Sequence, residues 1–329
     1  MYAIRIDETK RLIWSEVPEP QPRPDEVLIE VRAAALNRAD LLQREGHYPP
    51  PPGWPEWPGL EVAGLVRQAP AGSRWQPGDR VCALLGGGGY AQQVAVPAGM
   101  VLPIPGTLSF EEAAAIPEAF ATAWLNLCVE GGLQAGQKVF IQAGASGLGM
   151  AAIQLAKALG ATVVTTVGGA EKAAFVTALG ADIVIDHHRQ EAATVLAQHP
   201  VDVALDCVAG PQLGKCLQTM ARGGRWIVIA TLGGPVAELD INDFFRRGVK
   251  LIGSTLRSRS TEQKTEILAA LEARLWPAFA AGRVQVKLHR VLPITEAEAA
   301  QAILQRRENL GKVVLTLSAA GSACRTAAR

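Results

Sequence analysis

Apolar residues in the first hundred positions fall into short alternating or continuous runs, separated by Gly, Pro and Asp. Period-two alternation marks a strand with one buried face, and the breakers between runs mark turns. Residues 2–6 and 12–14 read as a hairpin. Residues 27–31, 59–66, 81–85 and 90–96 read as further strands. A proline-rich connector covers 18–24, P-P-P-P at 49–52 forms a stiff extended loop, and P-G-D-R at 77–80 makes a turn. Residues 33–44 read as a loop entering a short helix, and the glycine run 86–89 as a flexible stretch. Many short strands with Gly/Pro turns predict a β-rich, barrel-like domain.

The pattern changes near Phe110. Residues 111–115 and 121–129 carry helical periodicity. Strand-like runs at 138–141, 163–167, 183–185, 201–205, 224–229 and 249–252 then follow, most of them separated by helical segments. Strand–helix alternation predicts an α/β domain with a parallel, doubly wound sheet of six strands. Residues 254–279 read as helical, 284–288 and 312–317 as strands, and 295–307 as a helix. These last elements are expected to rejoin the first domain. The expected division is therefore 1–120, an inserted 121–258, a returning 259–317, and a frayed tail at 318–329.

One stretch organises the inserted domain. Residues 142–149, Q-A-G-A-S-G-L-G, follow the apolar run K-V-F-I and precede a helical pattern through Met150, Ile153, Leu155, Ala156 and Leu159. Strand, glycine-rich turn and helix place backbone N–H groups and a helix N-terminus against a pyrophosphate. Gly144 suits the tight turn and Gly149 close packing of helix on strand. Ala145, Ser146, Gly147 and Leu148 complete the cradle, with serine where the pattern usually has glycine. A second β-rich run, 161–167, ends in Gly168 and Gly169. Gly168 lies 19 positions after Gly149 (168 − 149), the distance to the residue that reads the adenosine ribose. A carboxylate there would repel a 2′-phosphate by roughly 4 kcal/mol per charge pair at 4 Å and an effective dielectric of 20. Glycine removes that penalty, and Lys172 adds attraction. The expected cofactor is NADPH rather than NADH.

Composition narrows the setting. The chain has 329 residues, 49% hydrophobic and 19% charged, with a net charge of +1. That balance gives no electrostatic case for nucleic acid or an anionic membrane as main partner. Five cysteines, an odd number with no C-x-x-C spacing, argue against a disulfide framework and for a reducing cytoplasm. Arg5, Asp7 and Lys10 are unlike a signal peptide. The uncharged stretch 139–156 is punctuated by Gly, Gln and Ser, so it reads as buried strand and helix and not as a membrane span.

With these features in place, the chain resembles the zinc-free medium-chain dehydrogenase/reductases, in the quinone-oxidoreductase branch and nearest its tumour-suppressor-inducible members. The segments that carry this are A-L-N-R-A-D-L-L-Q-R-E-G-H-Y-P-P-P-P-G (35–53), G-L-E-V-A-G (59–64), P-G-D-R-V (77–81) and A-A-A-I-P-E-A-F-A-T-A-W (113–124). They continue with the glycine turn, L-R-S-R (256–259) and N-L-G-K-V-V-L (309–315). The resemblance implies a Rossmann sheet inserted between two parts of a GroES-like β-barrel catalytic domain, with the active cleft between the domains. It further implies a homodimer through edge strands of the cofactor domain.

Zinc-dependent members of the superfamily hold their catalytic metal at positions that here carry Asn37 and Leu60. Zinc needs about four N, O or S ligands, or three and a water. No metal site is expected, so the substrate should accept hydride without a Lewis acid. A quinone or an activated alkene (enal or enone) fits, because its developing charge lies on a conjugated oxygen that hydrogen-bond donors can stabilise. A binding protein that keeps the dinucleotide site but has little catalysis is a third possibility.

The resemblance points to Tyr48, Asn37 and Asp40 as catalytic-cleft residues. Tyr48 would donate to the acceptor oxygen or pack against the nicotinamide. Asn37 and Asp40 have helix capping as the alternative role. A second cleft tyrosine of zeta-crystallin is replaced here by Leu42. Thr122, Leu232 and Gly233 are expected near the nicotinamide, Leu256 and Arg257 across the cofactor, and Asn309 on it from the returning segment. His187 and Arg189 follow the third sheet strand beside the adenine or its 2′-phosphate, with His187 where the family commonly has tyrosine. His188 reads as a solvated turn, and Cys207 as a buried small residue.

Overall fold

The computed structural model describes residues 1–317. The strands in chain order are β1 (Tyr2–Ile6), β2 (Leu12–Glu16), β3 (Glu26–Ala35), β4 (Glu61–Gln68), β5 (Arg80–Leu84), β6 (Gln93–Pro97), β7 (Val101–Pro103), β8 (Lys138–Ile141), β9 (Thr162–Val167), β10 (Ile183–Asp186), β11 (Val203–Asp206), β12 (Arg225–Val228), β13 (Lys250–Gly253), β14 (Leu288–Pro293) and β15 (Lys312–Thr316). The α-helices are α1 (Arg38–Arg44), α2 (Phe110–Ala114), α3 (Pro117–Trp124), α4 (Gly147–Ala158), α5 (Ala170–Ala178), α6 (Ala192–Gln198), α7 (Leu213–Leu217), α8 (Ile241–Arg247), α9 (Thr261–Ala280) and α10 (Ala297–Gln305). They divide into two compact units. The first comprises Met1–Glu118, Ser260–Glu272 and the chain from Val286 onward; the second comprises Ala119–Arg259 and Ala273–Gln285. The tail expected over 318–329 lies outside the described residues.

The first unit is β-rich. Its seven-stranded sheet runs β14-β15-β3-β4-β5-β7, with β6 also on β3, and the β1–β2 hairpin stands apart. β3 is the hub. It pairs antiparallel with β4, β6 and β15, and register shifts at Leu28/Ile29 and Val31/Ala33 bend it so that it can serve all three. Its burial is nearly continuous, as a strand covered on both faces requires. Residues 86–89, expected to be flexible, are instead buried. A glycine backbone has no side chain to keep neighbours away, and the Trp54 ring sits where a Cβ on Gly86 would go.

The second unit is a six-stranded parallel sheet in the order β10-β9-β8-β11-β12-β13. Its first strand by sequence, β8, sits centrally and the order reverses beside it, as in the doubly wound dinucleotide folds. Phe140, Val164, Ile185, Leu196, Val201, Ala204 and Trp226 form a dry core with little or no exposure. The helix expected at 121–129 divides at Trp124 into α3 and a π-helical segment, Leu125–Glu130. The strand expected at 284–288 is a correction: pairing begins at Leu288, where β14 joins β15 in parallel. Val284 and Val286 are buried without a ladder, so their alternation marks one covered face.

Candidate functional site

The two units carry separate clusters of chemistry-bearing residues. In the second unit the glycine turn leaves the carboxyl end of β8 and enters α4. Its backbone is clamped to β9: Gly144 N–H donates to Thr166 O at 2.9 Å, and Ala143 N–H to Thr166 Oγ1 at 3.0 Å. Thr165 Oγ1 donates to Ile141 O at 2.7 Å. Ala143 has φ 54°, an uncommon conformation for a residue with a side chain. A Cβ at Gly149 would lie 2.4 Å from Gly144 O and 2.5 Å from Ala143 O, both backbone atoms. Ser146 is the N-cap of α4, its Oγ accepting from Gly149 N–H at 3.0 Å. The serine hydroxyl is thus turned onto the helix, and its hydrogen stays available to a ligand oxygen. The remaining N–H groups of the first turn have no partner within the helix, which is the arrangement an anion uses.

Every other cofactor position expected in this unit, Thr122 apart, follows a strand at the same carboxyl edge. Gly168 and Gly169 follow β9, and Lys172 opens α5. His187 and Arg189 follow β10 and are exposed. Asp186 Oδ1 accepts from Gly169 N–H at 3.2 Å and from His188 N–H at 3.1 Å, tying these two turns together. Those backbone donors hold the Asp186 carboxyl below its usual range. Partial burial, then the His188 charge, holds His187 below the usual histidine value. Leu232 and Gly233 follow β12, where Leu232 N–H meets Cys207 O at 3.2 Å and Gly233 N–H meets Val208 O at 2.7 Å. Leu256 and Arg257 follow β13 and are buried. Thr122 lies on α3, half-buried, its carbonyl accepting from Asn126 Nδ2 at 2.7 Å.

Asp206, at the end of β11, was not anticipated. It is fully buried and accepts from Val208 N–H (2.7 Å), Ala209 N–H (2.8 Å) and Trp226 Nε1–H (2.8 Å). Burial pushes its carboxyl up, against those donors. It braces the loop that meets Leu232 and Gly233. An acidic residue closing an apolar strand was the available signal.

The first unit holds a buried polar cluster. Asp40 caps α1: its Oδ2 accepts from Asn37 N–H at 2.7 Å and from Tyr90 Oη at 2.9 Å, and its Oδ1 from Gly59 N–H at 3.1 Å. It has 0% exposure. The expected cleft role is therefore corrected: Asp40 has no surface to offer a substrate and acts as a positioning residue. Burial pushes its carboxyl up to about 6, opposed by its three donors and the Lys312 charge. Gly59 has φ +110° and lies so close to Tyr90 that any side chain would displace the backbone.

Asn37 is half-buried and saturated at both ends of its amide. Its Nδ2 donates to Glu61 Oε1 at 2.9 Å and its Oδ1 accepts from Lys312 Nζ at 2.9 Å. Lys312 Nζ also donates to Glu61 Oε1 at 2.6 Å and to Leu36 O at 2.7 Å, with the two charged side chains 2% and 0% exposed. Glu61 Oε2 accepts from Glu118 N–H at 2.8 Å. Neither Glu61, Glu118 nor Lys312 was singled out from sequence; a charged residue inside a Gly/Val-rich strand was the signal for two of them. Tyr48 is half-buried after α1, and Asn309 Nδ2 donates to Gly311 O at 2.9 Å.

This donor set does not suit zinc. Leu60 has no ligand atom, and Asn37 and Glu61 are already bonded to the chain's own ammonium group. Among the described residues no three His, Cys, Asp or Glu side chains gather as a metal site.

Comparison with known proteins agrees with both units. Residues 23–106 match the family described as "Alcohol dehydrogenase GroES-like domain", and residues 147–272 the family described as "Zinc-binding dehydrogenase". The quinone oxidoreductase of Sus scrofa is 31% identical over 312 residues, 93% of either chain. The chain belongs to the quinone oxidoreductases of the zinc-free medium-chain dehydrogenase/reductases. A solved quinone oxidoreductase of this family, from Thermus thermophilus and also determined in complex with NADPH, is 34% identical, with a TM-score of 0.81 over 96% of this chain and 100% of that one. The CurK enoyl reductase structure is 26% identical, with a TM-score of 0.82 over 96% and 99%. Within this medium-chain family, the first unit supplies the GroES-like domain and the second the Rossmann-like domain. No helix among the described residues is long and apolar enough to cross a membrane.

Proposed function

We propose that the chain is an NADPH-dependent quinone reductase that passes hydride from the nicotinamide to a bound quinone without metal. The observation that carries this is the glycine cradle at the β8/β11 reversal, in a family whose Thermus thermophilus relative was solved with NADPH. Gly144 to Gly149 would hold the pyrophosphate. Gly168, Gly169, Lys172, His187 and Arg189 would surround the adenosine end. Thr122, Leu232, Gly233, Leu256, Arg257 and Asn309 would serve the nicotinamide half. The nicotinamide supplies hydride when bound; the protein orients it, excludes water and donates hydrogen bonds. Tyr48 is the proposed donor to the acceptor oxygen, and Asn37 is held by Lys312 and Glu61.

Likeness to an enoyl reductase favours one second reading, reduction of an enal or enone carbon–carbon double bond. Turnover of a quinone panel against an enal panel decides between them, and turnover of enals alone rules out the first. Tyr48→Phe in the same panel should lose about 10-fold or more in kcat with cofactor affinity near normal. Tight NADPH binding with no turnover of any acceptor would instead support a non-catalytic binding protein.

Preference for NADPH rests on the absence of a carboxylate at Gly168 and the presence of Lys172. Lys172→Ala is expected to weaken NADPH by about 10-fold, on the order of one exposed ion pair and its hydrogen bond, and NADH hardly at all. Equal losses in a fluorescence titration would remove Lys172 from the 2′-phosphate site. The exposed Leu251 on edge strand β13, with Ile241 and Phe245 exposed on α8, supports a homodimer through that edge. Free thiols at Cys82, Cys128, Cys207 and Cys216 suit a cytoplasmic enzyme.

A further inference from the structure

The turns that follow β9 and β10 close on each other at one point. Gly168 has no side chain, and two imidazole rings of the second turn stand over it. A Cβ on Gly168 would lie 3.0 Å from His187 Cε1 and 3.0 Å from His188 Cε1. The rings meet edge to face, with centroids 4.5 Å apart and planes at 69°. The position from which a carboxylate would reach an adenosine ribose is thus covered by two imidazoles. Both histidines are exposed, so the face they present is open to a ligand.

The backbone holds this arrangement. His187 N–H donates to Val167 O at 3.0 Å, while Asp186 Oδ1 accepts from Gly169 N–H at 3.2 Å and from His188 N–H at 3.1 Å. The charges that face the pair come from both turns. Asp186, which closes β10, has Oδ1 3.7 Å from His188 Nδ1 and Oδ2 3.8 Å from Arg189 Nε. Lys172, in the first turn of α5, acts on His187 as a like charge, and so does His188. Asp186 is the carboxylate among these groups, set against a guanidinium, an ammonium and two imidazoles. That balance suits an anion. Without one, two imidazolium ions this close would repel, so the pair resists double protonation. Partial burial also holds His187 below the usual histidine value. A phosphate monoester, close to two negative charges at neutral pH, reverses the balance and favours the charged rings.

We propose that His187 and His188 form a proton-charged clamp on the 2′-phosphate of NADPH, so that pH sets the preference for NADPH over NADH. The inference rests on the coenzyme reading above and adds to it a residue, His188, and a coupling. As NADPH binds, a proton passes from water to an imidazole nitrogen of the pair; as NADH binds, none does. The sign follows from linkage: the complex holds more protons than the free protein, so NADPH affinity rises as pH falls through the neutral range and is lost as pH rises. NADH lacks the phosphate and gains no such dependence from the pair.

The test is titration of the full chain with NADPH and with NADH across the range in which histidine charges, about pH 6 to pH 8. The ratio of NADPH to NADH affinity should fall by about 10-fold over that range. Calorimetry near pH 7, in buffers of different ionisation heat, should show net proton uptake with NADPH and none with NADH. The double variant His187→Gln with His188→Gln should flatten the ratio and abolish the uptake. The phosphate's own titration is common to both proteins, so their difference isolates the imidazoles. His188→Gln alone should reduce the slope; a slope that it leaves unchanged overturns the pair. A ratio that favours NADPH equally at every pH overturns the clamp alone and leaves the phosphate to Lys172. Tighter binding of NADH than of NADPH, or binding of neither, overturns the NADPH reading and the clamp with it.

Discussion

Replacing Lys312 with methionine is expected to destabilise the protein by about 3–5 kcal/mol, the cost of stripping one partner from a buried ion pair. The side chain is 2% exposed and its ammonium donates to Glu61 Oε1, Asn37 Oδ1 and Leu36 O, at 2.6, 2.9 and 2.7 Å. Methionine matches the stem in length, so little packing is lost and the change is mainly electrostatic. Glu61, with 0% exposure, would keep two neutral donors and lose its counter-charge. Urea denaturation, with the midpoint falling at an unchanged slope, measures the loss. A loss below about 1 kcal/mol would mean that the pair is effectively solvated.

The double variant Lys312→Met with Glu61→Leu isolates the cause. Buried ion pairs are often replaceable by apolar residues at little cost, because the desolvation of two ions offsets their attraction. The double variant should therefore recover much of the single variant's loss in stability. Its activity should not recover, because Asn37 loses both partners that fix its amide. Recovered stability without recovered activity is the expected result, and it would assign the pair to orienting the loop that enters α1 more than to holding the fold.

The contrast between the two units shows which physics a sequence exposes. The parallel sheet was legible because β–α alternation is local: each strand is bounded by its own turn and followed by its own helix. All its cofactor candidates but Thr122 sit where a strand ends, so the strand pattern alone places them on one edge. The first unit's cluster was not legible. Lys312 and Glu61 are 251 positions apart, and no local period links them. Asp40 had two readings, cleft residue or cap, and only its three donors decide for the cap. Val284 and Val286 show the opposite failure, where alternation reports one covered face and is silent on whether a neighbouring strand is there to pair. Residues 86–89 looked mobile because glycine permits freedom, yet here the missing side chains let Trp54 pack onto the backbone.

Gly149→Ala should cost about 100-fold in coenzyme affinity, the scale of losing one or two charge-assisted hydrogen bonds at about 1.5–3 kcal/mol each. The added methyl would lie 2.4 Å from Gly144 O and 2.5 Å from Ala143 O. Both are main-chain atoms of the same turn, so no side chain can rotate away. The turn cannot yield freely, because Gly144 and Ala143 donate to Thr166 on β9 at 2.9 and 3.0 Å. Either those bonds lengthen or α4 withdraws from the strand, and both move the N–H groups away from the position proposed for the pyrophosphate. Overpacking should also lower stability by about 1–3 kcal/mol. The informative reading is the ratio between coenzymes. The pyrophosphate is common to NADPH and NADH, so Gly149→Ala should weaken the two equally, whereas Lys172→Ala should discriminate. A Gly149→Ala protein that binds both within threefold of wild type would show that the ligand does not rest on this turn.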